Sequence, residues 1–326
     1  SYNLPRMKSP FTDTIAAVAT APGESAIAIV RISGSRSLAI ADRIFRGPAP
    51  RPSRRNPGSF VHGFIHPGTG GKASKTQAEI DEVILLIFKS PRSYTGEDVV
   101  EIQGHGGSLS AQRILRQILL QGARLADPGE FTRRAFLNGK IDLLQAEAVL
   151  DLIKSRSDCA AHSALEQLEG RLSREFSSIY DHLLSFVADI EVRLDFSEHE
   201  TDMALNRLPV NKLQDELSNV NRLIKTWDDG RVLREGALMV ISGKANVGKS
   251  TLLNKLLGID RAIVTPIPGT TRDTIEESLV WHGVPLRLVD TAGLRKSACE
   301  IEQKGIARTH AFMKKADVHL YVIDGS

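Results

Sequence analysis

The spacing of apolar residues changes twice along the chain, and each change predicts a different kind of structure. From Thr14 to Gly122 apolar residues come in short β-branched runs. Ala26 to Ile32, Val83 to Phe88 and Val99 to Ile102 all read as buried strands. Leu109, Ile114, Leu115, Ile118 and Leu119 recur at helical spacing and predict a helix from Ser108 to Gln121, with Gly122 as its C-cap. The Pro/Arg/Gly-rich segment from Arg46 to Gly71 reads as a loop.

From Lys140 to Arg234 turn residues almost vanish. Leu143, Leu144, Ala148, Leu152 and Ile153 mark one helix. Leu183, Leu184, Val187, Ile190 and Leu194 mark a second, and Leu213, Leu217, Val220 and Ile224 a third, together predicting an antiparallel bundle. After Glu235 strand and helix alternate. Leu238–Ile241 is a strand, Ser250–Leu257 a helix ending at Gly258, and Leu279–Trp281 and Leu286–Val289 are strands joined by a turn at His282-Gly283. A last strand runs from Val318 to Ile323. The expected fold is multidomain α/β and all-α: an N-terminal α/β domain over 1–139, a helical domain over 140–234 and a partial P-loop α/β domain over 235–326. An α/β sheet is not expected to stop directly after a strand, so the chain reads as part of a longer protein.

Composition narrows the class. With 326 residues, 41% hydrophobic and 25% charged, the chain is ordinary globular material of about two domains' length. Forty-two basic against 39 acidic residues give a net charge of +3, compatible with a nucleic-acid partner without requiring one. Cys159, expected in a helix core, and Cys299, an expected loop thiol, lie far apart, which argues against a disulfide framework or zinc site. No signal-peptide core or bilayer-length apolar run is present, so a cytoplasmic protein with no membrane partner is expected.

Gly243-Lys244-Ala245-Asn246-Val247-Gly248-Lys249-Ser250 satisfies the phosphate-loop pattern with a strand before it and a helix after it. Backbone N–H groups and a helix N-terminus can cradle phosphates there, Lys249 adds a point charge, and the Ser250 hydroxyl suits Mg²⁺. Gly269-Thr270-Thr271-Arg272-Asp273 then falls where a switch loop with a metal-binding threonine belongs. Asp290-Thr291-Ala292-Gly293 follows a strand, where an aspartate can hold metal-bound water and a glycine N–H can meet the γ-phosphate. These three elements in order describe a GTPase. Leu294 stands where many GTPases carry a water-orienting glutamine, so hydrolysis needs another group; Glu300 and Glu302 are candidates that the residues alone do not separate.

Several strings resemble the tRNA modification GTPase family MnmE, also called TrmE. They include Asp13-Thr14-Ile15-Ala16-Ala17, Arg31-Ile32-Ser33-Gly34, Tyr94-Thr95-Gly96-Glu97-Asp98 and Gln103-Gly104-His105-Gly106-Gly107. Pro128-Gly129-Glu130-Phe131-Thr132, the run Arg134 to Lys140 and the GTPase motifs within Ala262 to Asp273 continue the match over essentially the whole chain. The resemblance implies a homodimer, paired through its N-terminal domain, that works with the flavin-containing partner MnmG on C5 of the wobble uridine of tRNA. It implies a carbon donor, 5-formyltetrahydrofolate or another tetrahydrofolate derivative, held by Arg31, Glu101 and Lys140. Taken alone, those three residues read as ordinary surface salt-bridge partners.

For the nucleotide, the resemblance implies GTP contacts from Gly243, Asn246, Val247, Gly248, Lys249, Ser250 and Thr251. Further contacts are implied from Thr265, Pro266, Ile267, Pro268, Gly269, Thr270 and Thr271, and from Asp290, Thr291, Ala292 and Gly293. Ser250 and Thr271 match Mg²⁺ ligands, and Asn246, Thr265, Ile267 and Thr270 match a K⁺ site that replaces an arginine finger. The family's spacing selects Glu302 as the catalytic, water-orienting residue. Ala245 departs from the family's usual proline, and the guanine-reading motif would lie beyond Ser326, so guanine specificity is implied rather than read. Two other classes remain in play: a regulatory GTP switch that binds RNA or ribosomes without modification chemistry, and a one-carbon transferase with its GTPase part as a clamp. Arg51, Arg54 and Arg55, in the Pro-rich segment, read as a solvated connector or as contacts for tRNA phosphates, and His105 as a turn near a ligand or a structural histidine.

Overall fold

The computed structural model describes residues 12–67, 79–195, 210–244, 247–259, 276–290 and 312–324. They form two compact units, 1–146 and 147–326.

The first unit is built on a seven-stranded sheet: β1 (Ile15–Val18), β2 (Ile27–Ser33), β3 (Phe45–Arg46), β4 (Ser59–Ile65), β5 (Asp81–Phe88), β6 (Val99–His105) and β7 (Arg124–Leu125). The strand order is β3-β4-β5-β6-β2-β1-β7. All neighbours are antiparallel except β1 and β7. Alternation decides which side chains meet the core. Val30, Ile32, Val61, Ile65, Val83, Leu85, Val100 and Ile102 form a cluster with Ile40 and Ile44 of α1 (Ser37–Ile44) and Ile114 and Ile118 of α2 (Ser108–Leu120). The opposite face of the sheet carries Ile27, Phe60 and Ile84 exposed, alongside Arg31 and Glu101.

The predicted strands and the α2 helix are present, and Gly122 has the positive φ of a C-cap glycine. The segment expected to be a loop is not one throughout: it holds a 3₁₀ turn, Pro52–Arg54, and strand β4. In β4, Val61, Gly63 and Ile65 face inward against Phe60, His62 and Phe64 outward, an alternation diluted by a glycine and a histidine. A further helix, α3 (Glu130–Leu137), precedes α4 (Leu143–Lys154), whose start is fixed by a reciprocal cap: Gln145 N–H donates to Asp142 Oδ1 at 2.8 Å and Asp142 N–H to Gln145 Oε1 at 2.9 Å.

The second unit begins within α4 and continues through α5 (Asp158–Leu168), α6 (Arg171–Asp195), α7 (Val210–Lys225) and α8 (Trp227–Glu235). The expected helical domain is present: α5 touches α6, α6 touches α7, and α8 touches both α5 and α7. Leu183, Leu184, Val187, Leu213, Leu217, Val220 and Ile224 are exposed, and among the described residues none joins a buried cluster. Cys159, expected in a core, lies exposed on α5 because its helix buries the smaller Ala160 and Ala164 instead. Cys299 lies outside the described residues.

A four-stranded sheet follows, from β8 (Ala237–Gly243), β9 (Glu276–Trp281), β10 (Val284–Asp290) and β11 (Val318–Val322) in the order β11-β8-β10-β9. The β9–β10 hairpin turns at His282 and Gly283, both at positive φ, the two-residue turn that suits strand twist. Helix α9 (Lys249–Ile259) packs Leu253, Leu256 and Leu257 against Met239, Leu286 and Leu288, and it runs through Gly258 rather than ending there. Phe312 and Met313 cover Leu238, Val240 and Val289 on the other face. At the sheet's other end, Asp317 accepts from Arg231 of α8 at 2.6 Å and from the Leu238 N–H at 2.8 Å, which holds its carboxyl below the usual range.

Candidate functional site

Strands β8, β10 and β11 run parallel, so Gly243, Asp290 and Val322 end at one edge of the sheet. Open α/β sheets bind ligands at that edge. Gly243 has φ +149°, and a Cβ there would stand 2.3 Å from the Val322 carbonyl oxygen, so only glycine lets the chain leave β8 at this point. Gly248 is also at positive φ, and α9 starts at the next residue. Lys249 is only 6% exposed, yet its ammonium has no carboxylate among the described residues: Nζ donates to the carbonyl oxygens of Gly243 at 3.1 Å and Lys244 at 2.5 Å. A buried cation satisfied only by neutral carbonyls is suited to exchange them for an anion.

Of the residues expected at a nucleotide, Gly243, Val247, Gly248, Lys249, Ser250 and Thr251 are thus brought together between β8 and α9. Asp290 closes β10. Asn246, Thr265 to Thr271, Thr291, Ala292, Gly293 and Glu302 lie outside the described residues, as do Glu300 and Leu294. The hydroxyl of Ser250 is therefore the one expected metal ligand whose side chain is described; it sits in the first turn of α9, where a phosphate-bound cation could be met.

The first unit holds a second constellation. Arg31 of β2 and Glu101 of β6 face each other across the sheet and pair through Nε at 2.8 Å and Nη2 at 2.7 Å. The rings of Tyr94 and Phe131 flank the guanidinium, 5.3 and 5.5 Å from its carbon. Both members of the pair keep partial solvent access. Lys140 reaches the same 91–97 segment: its Nζ donates to the Pro91 carbonyl at 3.2 Å, and its stem lies against Gly96. Two aromatic faces, a bidentate cation and a carboxylate fit a flat heterocycle with amine and carboxylate substituents. Tyr94 and Phe131 were not singled out from sequence for this role; a ring beside a charge is legible only once strands and helix are assembled.

Behind this surface lies a buried ionic cluster. Arg134, 0% exposed, donates to Asp13 Oδ1 at 2.8 Å, to the Asp13 carbonyl at 3.1 Å, to Glu130 at 3.1 Å and to Glu97 at 3.3 Å. Arg124 joins Glu130 and Asp13, both at 2.7 Å. Hydrogen bonding from Arg124, against the cost of burial, holds the Glu130 carboxyl down to about 2. Glu97 in turn accepts from Ser33 at 2.7 Å, and Ser33 meets Thr95 at 2.7 Å, which anchors the segment carrying Tyr94.

Among the described residues no helix is long and apolar enough to cross a membrane. Two family profiles match the chain: GTP-binding protein TrmE N-terminus over residues 14–140, and MnmE helical domain over 143–317. A protein of Shouchella clausii named tRNA modification GTPase MnmE is 46% identical over 312 residues, covering 96% of this chain and 67% of its own length. Proteins of the same name from Geobacillus thermodenitrificans and Syntrophotalea carbinolica are 46% and 48% identical over 314 and 315 residues, again covering 96% of this chain and 67% of theirs. The chain spans about two thirds of the length of these curated relatives. A phosphate loop at a parallel-sheet edge, a separate α/β unit before it and this extent of identity lead to one assignment: the chain belongs to the MnmE family.

Proposed function

We propose that this chain is the GTP-hydrolysing component of a complex that modifies C5 of the wobble uridine of tRNA. A tetrahydrofolate derivative such as 5-formyltetrahydrofolate donates the one-carbon unit, and hydrolysis is stimulated by K⁺ and coupled to dimerisation. The functional regions are 1–139 for folate and pairing, 140–234 for the helices and 235–326 for the nucleotide. MnmG is the flavin-containing partner, and the complex acts in the cytoplasm. The single observation carrying the GTPase reading is the buried Lys249 ammonium at the start of α9, held among the described residues by the carbonyls of Gly243 and Lys244 and by no carboxylate.

Lys249 exchanges those carbonyls for β- and γ-phosphate oxygens, while the N–H groups of Val247 to Thr251 close around the phosphates. Ser250 and Thr271 hold Mg²⁺, and Asn246, with Thr265, Ile267 and Thr270, holds K⁺; bound there, the two cations offset charge on the phosphate oxygens. Asp290, Thr291, Ala292 and Gly293 line the γ-phosphate side, and Glu302 orients the attacking water. In the first unit Arg31 and Glu101 bond the edge of the pterin while Tyr94 and Phe131 flank it, and Lys140 takes the carboxylate tail. The exposed Ile27, Phe60 and Ile84 on the open sheet face support pairing through this unit.

Two measurements test this. Phosphate release from GTP should be at least tenfold faster in KCl than in NaCl, and Glu302→Ala should abolish it with GTP affinity nearly unchanged. Equal rates in the two salts, without pairing of monomers, would remove the potassium mechanism. Separately, 5-formyltetrahydrofolate should raise the melting temperature, and Arg31→Ala should erase that rise. No shift in the unaltered protein would leave a GTP switch without modification chemistry.

A further inference from the structure

Charge is distributed unevenly over this chain. The segments Gly34–Gly58 and Gly107–Ala123 hold eight arginines and a single carboxylate, Asp42. That is a surplus of seven positive charges, whereas the whole chain carries +3, so everything else is net −4. These segments hold α1, the short strand β3, the 3₁₀ turn and α2; α1 and α2 pack on one side of the first unit's sheet, and the 3₁₀ turn lies against α1. Arg36, Arg43, Arg51, Arg54, Arg113 and Arg116 are exposed, and among the described residues none has a carboxylate within ion-pair distance. Asp42, already counted in that surplus, makes no ion pair with them: its oxygens accept from the Ser53 N–H at 2.9 Å and hydroxyl at 2.5 Å.

A face this basic, unpaired and made of guanidinium rather than ammonium groups is suited to phosphodiesters, which a planar fork grips bidentately. We infer that the α1–α2 layer of the first unit is a docking surface for the phosphate backbone of RNA. This rests on the proposal that tRNA is the substrate, and it names the surface that receives it. A membrane surface fits less well. Interfacial helices need a continuous free apolar face, whereas α2 spends Ala111, Ile114 and Ile118 on the core and its exposed Leu109 and Leu120 stand at opposite ends with Arg113 and Arg116 between them. Arg113 and Arg116 are one turn apart on the exposed side of α2, while Arg51 precedes and Arg54 ends the 3₁₀ turn that packs on α1, so contacts can spread over several phosphates.

The test is fluorescence anisotropy with a labelled, unmodified tRNA transcript at several KCl concentrations. Arg113→Ala/Arg116→Ala, Arg51→Ala/Arg54→Ala and the combined quadruple variant are compared with the unaltered chain. Each lost phosphate contact should flatten the slope of log affinity against log salt by about one. The quadruple variant should bind at least tenfold more weakly, and each double variant several-fold more weakly. Removing Arg171 and Arg222, on helices of the second unit, should change affinity less than twofold. Melting temperatures and GTP hydrolysis without tRNA should not move; if the quadruple variant unfolds, the two doubles decide. Unchanged affinity and slope in the variants overturn this surface while leaving tRNA as the substrate. No binding by the unaltered chain overturns both. Loss of binding to phosphatidylserine vesicles with tRNA binding intact would assign the face to membranes and overturn it as well.

Discussion

Arg134 illustrates how far a side chain's role depends on distant partners. In sequence it is one of two adjacent arginines, Arg133 and Arg134, with nothing local to mark which of them is buried. In the fold it is fully buried and bonded to residues 121 and 37 positions away. Arg134→Met would leave Glu97 and Glu130 buried with less compensation, a loss expected at about 3–5 kcal/mol. Denaturant unfolding measures it, and a loss below about 1 kcal/mol would show the cluster to be dispensable. Glu130 titrates near 2 when folded, so its stabilising contribution is present above the ordinary glutamate range near 4.5 and is lost as pH falls through that interval. His105 has the opposite sign. Its Nδ1 lies 2.6 Å from Asp81 Oδ1, and that bond raises its pKa above 6.5. The stabilisation is therefore complete below 6.5 and is lost as pH rises through the folded value. Titration followed by NMR should find His105 above 6.5 and, in Asp81→Asn, back near it; a value at or below 6.5 in the unaltered protein would contradict the pairing. The bond to Asp81 favours the structural reading of this histidine.

At the level of strands and helices, the most legible elements were those whose local chemistry and tertiary setting agree. The β8–loop–α9 passage was readable because glycine spacing, a lysine and flanking apolar runs all state one geometry. The two glycines of this passage that differ most in surroundings make a paired prediction. Gly243→Ala would bring a methyl into the Val322 carbonyl and strain φ, costing about 1–2 kcal/mol in backbone conformation alone and abolishing nucleotide binding. Gly258→Ala, inside α9 with nothing within 4 Å of the new methyl, should instead stabilise by about 0.5–1 kcal/mol. Thermal melts with and without GTP separate the two; equal effects would mean that the turn does not need glycine. Strand β4 was hidden for the converse reason: its neighbours Pro57 and Gly58 and its own Gly63 look like loop, and its partner β5 supplies the pairing that makes it a strand. The helices of the second unit have clear periodicity, but periodicity states only that an apolar face exists, not what covers it.

Across the chain, the two compact units carry distinct chemistries, one centred on Arg31 and Glu101 and the other on Lys249. Amide exchange should report them separately. 5-formyltetrahydrofolate is expected to slow exchange in β2 and β6 and not in β8, and a non-hydrolysable GTP analogue to do the reverse; folate protection confined to the second unit would refute the assignment. Local patterns of glycine, charge and hydrophobic spacing were enough to announce a phosphate loop, a strand-rich first unit and a helical stretch, because backbone conformation and periodicity are short-range properties. Only assembly of the chain in space determined that Tyr94 and Phe131 flank Arg31, that Arg134 is buried and that exposed arginines of α1 and α2 gather on one side of the sheet. Those facts depend on contacts between residues far apart in sequence, where burial and electrostatic energy arise from neighbours that no local window contains.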